Sequence, residues 1–114
     1  MRVLVCGSRH FNDYQKLKEV LDEIPITTII HGGASGGDTL AGMYGRHHSK
    51  EVYCYPALWD LHGKRAGPIR NQQMLREGKP NLVVAFLAQD SRGTKNMIEQ
   101  AERASIPVKV VNIA

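Results

Sequence analysis

The sequence predicts an α/β protein, a Rossmann-like three-layer sandwich of about five parallel strands with helices on both faces. Three observations carry this reading. Short apolar runs alternate with segments of helical periodicity along the whole chain. The runs Val3-Leu4-Val5-Cys6, Ile26-Thr27-Thr28-Ile29-Ile30 and Leu82-Val83-Val84-Ala85-Phe86 are apolar or β-branched at every position, as strands covered on both faces must be. The residues least suited to packing, namely glycines, cations and a tryptophan, collect after the strands rather than within them. Right-handed crossovers turn such a pattern into a layered sheet that binds ligands outside the carboxyl ends of its strands.

The chain has 114 residues, the size of one domain spanning 1–114. Its 42% hydrophobic and 23% charged residues are those of an ordinary globular protein, so neither disorder nor a fibrous class fits. No apolar run approaches the roughly 20 residues needed to cross a bilayer, and Met1-Arg2-Val3-Leu4-Val5-Cys6 opens as a strand, not as a secretory leader. The expected location is cytoplasmic. A net charge of +4 suits an anionic ligand, but it is too small and dispersed to mark a nucleic-acid protein. Cys6 and Cys54 lie far apart, form no metal-ligand array and read as buried free thiols.

Taken in order, a strand over 2–6 ends at Gly7-Ser8-Arg9. Asn12 or Asp13 caps a helix over about 14–23, whose Leu17, Val20, Leu21 and Ile24 share a face, and Pro25 stops it. A strand over 26–30 enters His31-Gly32-Gly33-Ala34-Ser35-Gly36-Gly37-Asp38, in which four of eight residues are glycine. A helix over about 38–48 follows and ends in Arg46-His47-His48, as the helix dipole prefers. Val52-Tyr53-Cys54-Tyr55 is a strand stopped by Pro56. Ala57 to Gly67 shows no regular period. Pro68 suits the first position of a helix over about 68–77, ended by Gly78 and Pro80. A strand over 82–86, a loop from Leu87 to Arg92, a helix over about 93–104 and a strand from Pro107 to Val111 complete the fold.

Four loops therefore meet at one sheet edge: Gly7–Arg9, His31–Asp38, Pro56–Gly67 and Leu87–Thr94. Strand, glycine loop and helix N-terminus together offer backbone N–H groups and a positive dipole end to an anion. The spacing is neither the dinucleotide fingerprint nor the P-loop, so the alternative is a tight turn. Gly7, Ser8, Arg9, Gly32, Gly33, Ala34 and Gly37 are the candidate phosphate contacts, with Gly93-Thr94 opening a second helix in the same way. Asp38 either accepts from a ribose hydroxyl or caps its helix. His31 is either an acid–base group or a hydrogen-bonded structural one. Lys64, Arg65 and Arg70 make a local positive field, and Arg70 with Asn71 falls in the expected first turn of its helix, where a cation opposes the dipole and so suggests an anion to hold. Trp59 either stacks on a base or covers the sheet edge. The residues present no metal cluster and no Ser-His-Asp or Cys-His set.

Gly7-Ser8-Arg9, His31-Gly32-Gly33-Ala34 with Gly37-Asp38, Pro56-Ala57 with Trp59, Gly63-Lys64, Ala66-Gly67-Pro68-Ile69-Arg70-Asn71 with Met74, Ala85-Phe86 and Gly93-Thr94 occur here in one order. In that order they resemble the small YspA/YpsA-related members of the SLOG superfamily, named for Smf and Lonely-guy proteins, across about residues 2–112. The resemblance implies a Rossmann-like fold, a bacterial or phage source and a nucleotide-derived ligand such as an ADP-ribose-like or cyclic-nucleotide signal, which the protein senses or sequesters without a cofactor. It also allows a homo-oligomer, with Trp59 and Tyr44 as candidate contacts. The Lonely-guy branch hydrolyses nucleoside monophosphates at the N-glycosidic bond, and its Arg matches Arg70 and its Gly-Thr matches Gly93-Thr94. Its catalytic Glu has no counterpart: Lys95, Asn96 and Met97 follow Thr94, and Asp90-Ser91-Arg92 replaces its glycines. A phosphoribohydrolase would have to draw on Arg70 and on Asp38, Asp90 or Glu99, and so stands as the alternative to binding. Nucleic-acid binding ranks third, because no contiguous basic stripe with interleaved aromatics is present.

Overall fold

The computed structural model describes residues 1–113. Its elements are β1 (Arg2–Gly7), α1 (Tyr14–Asp22), β2 (Thr28–His31), α2 (Gly37–His47), β3 (Glu51–Cys54), α3 (Trp59–His62) running through a short 3-10 turn (Gly63–Arg65) into α4 (Ala66–Gly78), β4 (Leu82–Leu87), α5 (Arg92–Arg103) and β5 (Val108–Asn112). The five strands form one parallel sheet in the order β3-β2-β1-β4-β5. Val3 stands opposite Ile29 on one side and Leu82 on the other, so β1 is central. The order reverses between β1 and β4, which places the switch point above Gly7 and Leu87.

Alternate strand residues separate into two cores, which is what a sheet covered on both faces requires. Val3, Val5, Ile29, Val84 and Phe86 pack with Leu17 and Leu21 of α1 and Ala41 and Tyr44 of α2. Leu4, Cys6, Ile30, Val83 and Ala85 pack with Met74 of α4 and Met97 and Ala101 of α5. Phe11 stacks on Phe86 with ring centroids 4.9 Å apart and closes the first core at the carboxyl edge. Asp13 caps α1, its carboxylate accepting from the Lys16 N–H at 3.0 Å.

The structure departs from the sequence pattern at several points. Ala57 to Gly67 is not irregular: a four-residue helix and a 3-10 turn lead directly into α4. α4 therefore begins at Ala66, two residues before Pro68, and Gly78 is its last residue, with Lys79 taking the left-handed conformation beyond it. Cys54 is exposed, because β3 is an edge strand; Cys6 in central β1 is buried as expected. Tyr44 is not available for a contact between copies: it is 3% exposed and its hydroxyl donates to Asp22 Oδ1 at 2.7 Å. No helix is long and apolar enough to cross a membrane among the described residues.

Leu21 is fully buried between α1 and the sheet. Leu21→Ala is expected to cost about 2–5 kcal/mol in urea unfolding, and a loss below about 1 kcal/mol would contradict this packing.

Candidate functional site

The carboxyl edge of the sheet is built around a close approach of β1, β2 and α2. A Cβ on Gly37 would lie 2.8 Å from the Gly7 Cα, and Gly36, at φ +78°, faces the Ser8 carbonyl with no room for a side chain. The Gly37 N–H donates to that carbonyl at 3.1 Å. Here the glycines serve packing: they let the N-terminus of α2 rest on the loop that leaves β1.

The buried Asp38 carboxylate lies inside the glycine loop. Its Oδ2 accepts from the Gly32 N–H at 2.9 Å and the Ala34 N–H at 3.4 Å. Arg70 approaches from α4 and donates through Nη1 to the Gly32 carbonyl at 2.6 Å. Gly32 is pinched between the two groups: a Cβ there would lie 2.6 Å from the Arg70 Cζ and 2.9 Å from Asp38 Oδ2. The Gly33 N–H donates to His31 Nδ1 at 3.0 Å, so the neutral ring carries its proton on Nε2. Burial, then Arg46 and Arg70, hold the His31 pKa below its ordinary value. Burial pushes the Asp38 carboxyl up to about 6, against the opposing pull of Arg70 and the two loop N–H groups. Burial also pushes up the thiol of Cys6, which lies beneath them.

Gly32, Gly33, Ala34 and Gly37, four of the expected phosphate contacts, thus use their N–H groups within the protein. Asp38 is the internal anion of its own loop. Arg70 is the fifth residue of α4, not a first-turn residue, so the dipole argument for an anion loses its footing there; a buried carboxylate and a carbonyl oxygen account for its placement.

Asn71 joins this knot to α5. Its Oδ1 accepts from Arg70 Nε at 3.0 Å, and its Nδ2 donates to the Gly93 carbonyl at 3.2 Å and to Asn96 Oδ1 at 3.0 Å. Gln100 Nε2 donates to the same Asn96 oxygen at 2.8 Å. Sequence reading missed Asn96 and Gln100, although their i,i+4 spacing marks one face of α5. Thr94 is 4% exposed, and its hydroxyl has no hydrogen-bond partner among the described residues. No buried side-chain oxygen there is left unpartnered, so that hydroxyl reaches the surface. The Gly93 and Thr94 N–H groups open α5 without a side-chain cap, and the space beside the Gly93 Cα is clear.

The other expected site residues separate. Trp59 is 58% exposed and lies over the start of α4, 3.5 Å from where a Gly67 Cβ would be. Lys64 is exposed on the 3-10 turn, and Arg9 is exposed beyond the buried Ser8. Glu99 lies in an exposed ion pair with Arg103 on α5, 3.6 Å apart. Asp90 is exposed in the turn before α5. No group of three or more His, Cys, Asp or Glu is placed to hold a metal ion among the described residues.

With this geometry, residues 1–62 match the model of a family described as YspA, cpYpsA-related SLOG. The chain belongs to this SLOG family. It is also 34% identical over 117 residues to the Gene 61 protein of Mycobacterium phage D29, covering 94% of this chain and 93% of that protein. The phage relative therefore spans the SLOG chain beyond the family match, including the segment that carries Arg70, Gly93 and Thr94.

A raised carboxyl pKa has a definite sign in stability. Between the unfolded value of 3.8 and the folded value of about 6, the folded state holds a proton that the unfolded state has released, so the Asp38 contribution is present at low pH and lost as pH rises through about 6. His31, with its lowered pKa, works in the opposite sense as pH falls. Subtracting the pH profile of Asp38→Asn cancels His31. Relative to that variant, the wild type is expected to lose stability from about pH 4 to pH 7; parallel profiles would contradict the assignment.

Proposed function

We propose that the protein binds a nucleotide-derived small molecule, of the kind of an ADP-ribose-like or cyclic-nucleotide signal, and acts as a sensor or sequestering module rather than as an efficient catalyst. The observation that carries this is the free donor set at the start of α5: two N–H groups and the Thr94 hydroxyl at a positive helix end, linked to Arg70 through Asn71. Membership of the SLOG family supports a nucleotide-related ligand. The Rossmann-like sheet supports the location, since α5 starts at the carboxyl end of β4, next to the switch point.

Binding is favoured over hydrolysis by the state of the acids. Asp38 already accepts two loop N–H groups, Glu99 pairs with Arg103 in solvent, and Asp90 is exposed in the turn before α5. None of the three is the enclosed, unengaged carboxyl that protonating a departing base calls for. Arg70 has two tasks in this reading: it compensates Asp38 and it lends positive charge to the anion site. Its removal would therefore disturb stability as well as binding.

Thr94→Val separates the two effects, because it keeps the side-chain shape and removes only the hydroxyl. It is expected to weaken the binding of a ribonucleoside monophosphate about tenfold in calorimetry, with the melting temperature nearly unchanged. Equal affinity of both proteins would contradict the anion site at α5.

A further inference from the structure

A cleft of about 570 Å³ opens at the same sheet edge, between the loop after β1, the loop after β4 and the end of β5. It lies across the sheet from Arg70 and Thr94. Its floor is Phe11 and Ile113, which belong to the core under α1 and α2, whereas Arg70 and Thr94 come from α4 and α5 on the opposite face. Ser8, at the end of β1, borders it. The volume is in the range of small-molecule sites, and the position is the switch point between β1 and β4.

The lining has a definite chemistry. The floor is apolar, with the Phe11 ring held parallel to Phe86 within 16°. The rim carries Asp13, Lys16, Asp90 and Asn112. Asp13 uses one carboxylate oxygen on the Lys16 N–H. The side chains of Lys16, Asp90 and Asn112 make no hydrogen bond among the described residues, in contrast to Asp38 and His31 in the glycine loop, which accept from loop N–H groups. Two carboxylates against one ammonium disfavour a phosphate here. They favour a neutral group rich in hydroxyls, because an ionised carboxylate accepts from O–H in a strong, charge-assisted bond.

We propose that this cleft is the nucleoside compartment of the site, with the base over Phe11 and Ile113 and the ribose hydroxyls donating to Asp90. The proposal rests on the nucleotide-binding reading and deepens it. The ligand then straddles the sheet edge at Ser8, with phosphate toward Gly93 and Thr94 and the nucleoside on the α1 side. This geometry selects a ribonucleotide over its 2′-deoxy counterpart, since only the former presents a vicinal diol.

Amide NMR spectra of the full chain, titrated separately with inorganic pyrophosphate, ribonucleoside monophosphates and their 2′-deoxy counterparts, test this. Ribonucleotides are expected to shift the amides of Phe11, Ala88 and Asn112 together with those of Gly93 and Thr94, and pyrophosphate only the latter two. Asp90→Ala is expected to weaken ribonucleotide binding about tenfold and to remove most of the preference over the deoxy form. Ribonucleotides that shift Gly93 and Thr94 alone would overturn the compartment and leave the anion site standing. Pyrophosphate that shifts the cleft amides equally, or an Asp90→Ala protein with unchanged preference, would overturn its assignment to the nucleoside. No shift with any of these compounds would overturn both readings.

Discussion

The structure depends on one buried arrangement, in which the Asp38 carboxylate is held by the N–H groups of its own glycine loop while Arg70 grips the Gly32 carbonyl from the opposite face of the sheet. A carboxylate that is only 5% exposed is costly to keep ionised unless hydrogen bonds and a cation meet it. Here two N–H donors meet it and the field of the nearby Arg70 guanidinium offsets part of the cost of burial. The arrangement tolerates no Cβ at Gly32 and none at Gly37, where α2 rests on β1. It also ties together parts of the chain that are distant in sequence, because Asn71 carries it from Arg70 to the start of α5.

This arrangement commits several loop N–H groups to the protein itself. A glycine-rich loop at a helix N-terminus invites the expectation of phosphate, but an N–H group that already donates to Asp38, His31 or the Ser8 carbonyl cannot also hold a ligand without giving up that bond. The N–H groups of Gly32, Gly33, Ala34 and Gly37 act as an internal brace, whereas those of Ser35, Gly36 and Asp38 make no hydrogen bond among the described residues. Further free donors lie two loops along the chain, at Gly93 and Thr94, and free acceptors lie across the edge, at Asp90 and Asn112. A polar ligand would bind at those groups at the smallest loss of existing hydrogen bonds.

Most of the fold was legible because each strand is a short, nearly continuous apolar run and each long helix has an apolar face. The cap at Asp13, the parallel sheet and the helices on both faces followed from local pattern alone. What was not legible depends on tertiary position. Cys54 resembles a core residue in sequence, and only the strand order shows that β3 is an edge. Tyr44 resembles a surface aromatic until Asp22 is brought to its hydroxyl. The α3 segment hid because four residues carry no period and Trp59, Leu61 and the preceding Leu58 are exposed. The gathering of Gly7, Gly32, Asp38, Arg70, Asn71 and Gly93 at one edge was readable from loop order, but which N–H groups remain free was not, since hydrogen-bond partners 38 residues apart leave no local trace.

The proposed role of this SLOG chain is to retain a nucleotide-derived compound without cleaving it. It is tested most directly by mixing the purified protein with nucleotides, ADP-ribose derivatives and cyclic dinucleotides, removing unbound compound, releasing the remainder by heat and identifying it by mass spectrometry. One compound is expected to be recovered intact and in proportion to the protein. Recovery of a free base with a ribose phosphate, or of nothing retained, would contradict it.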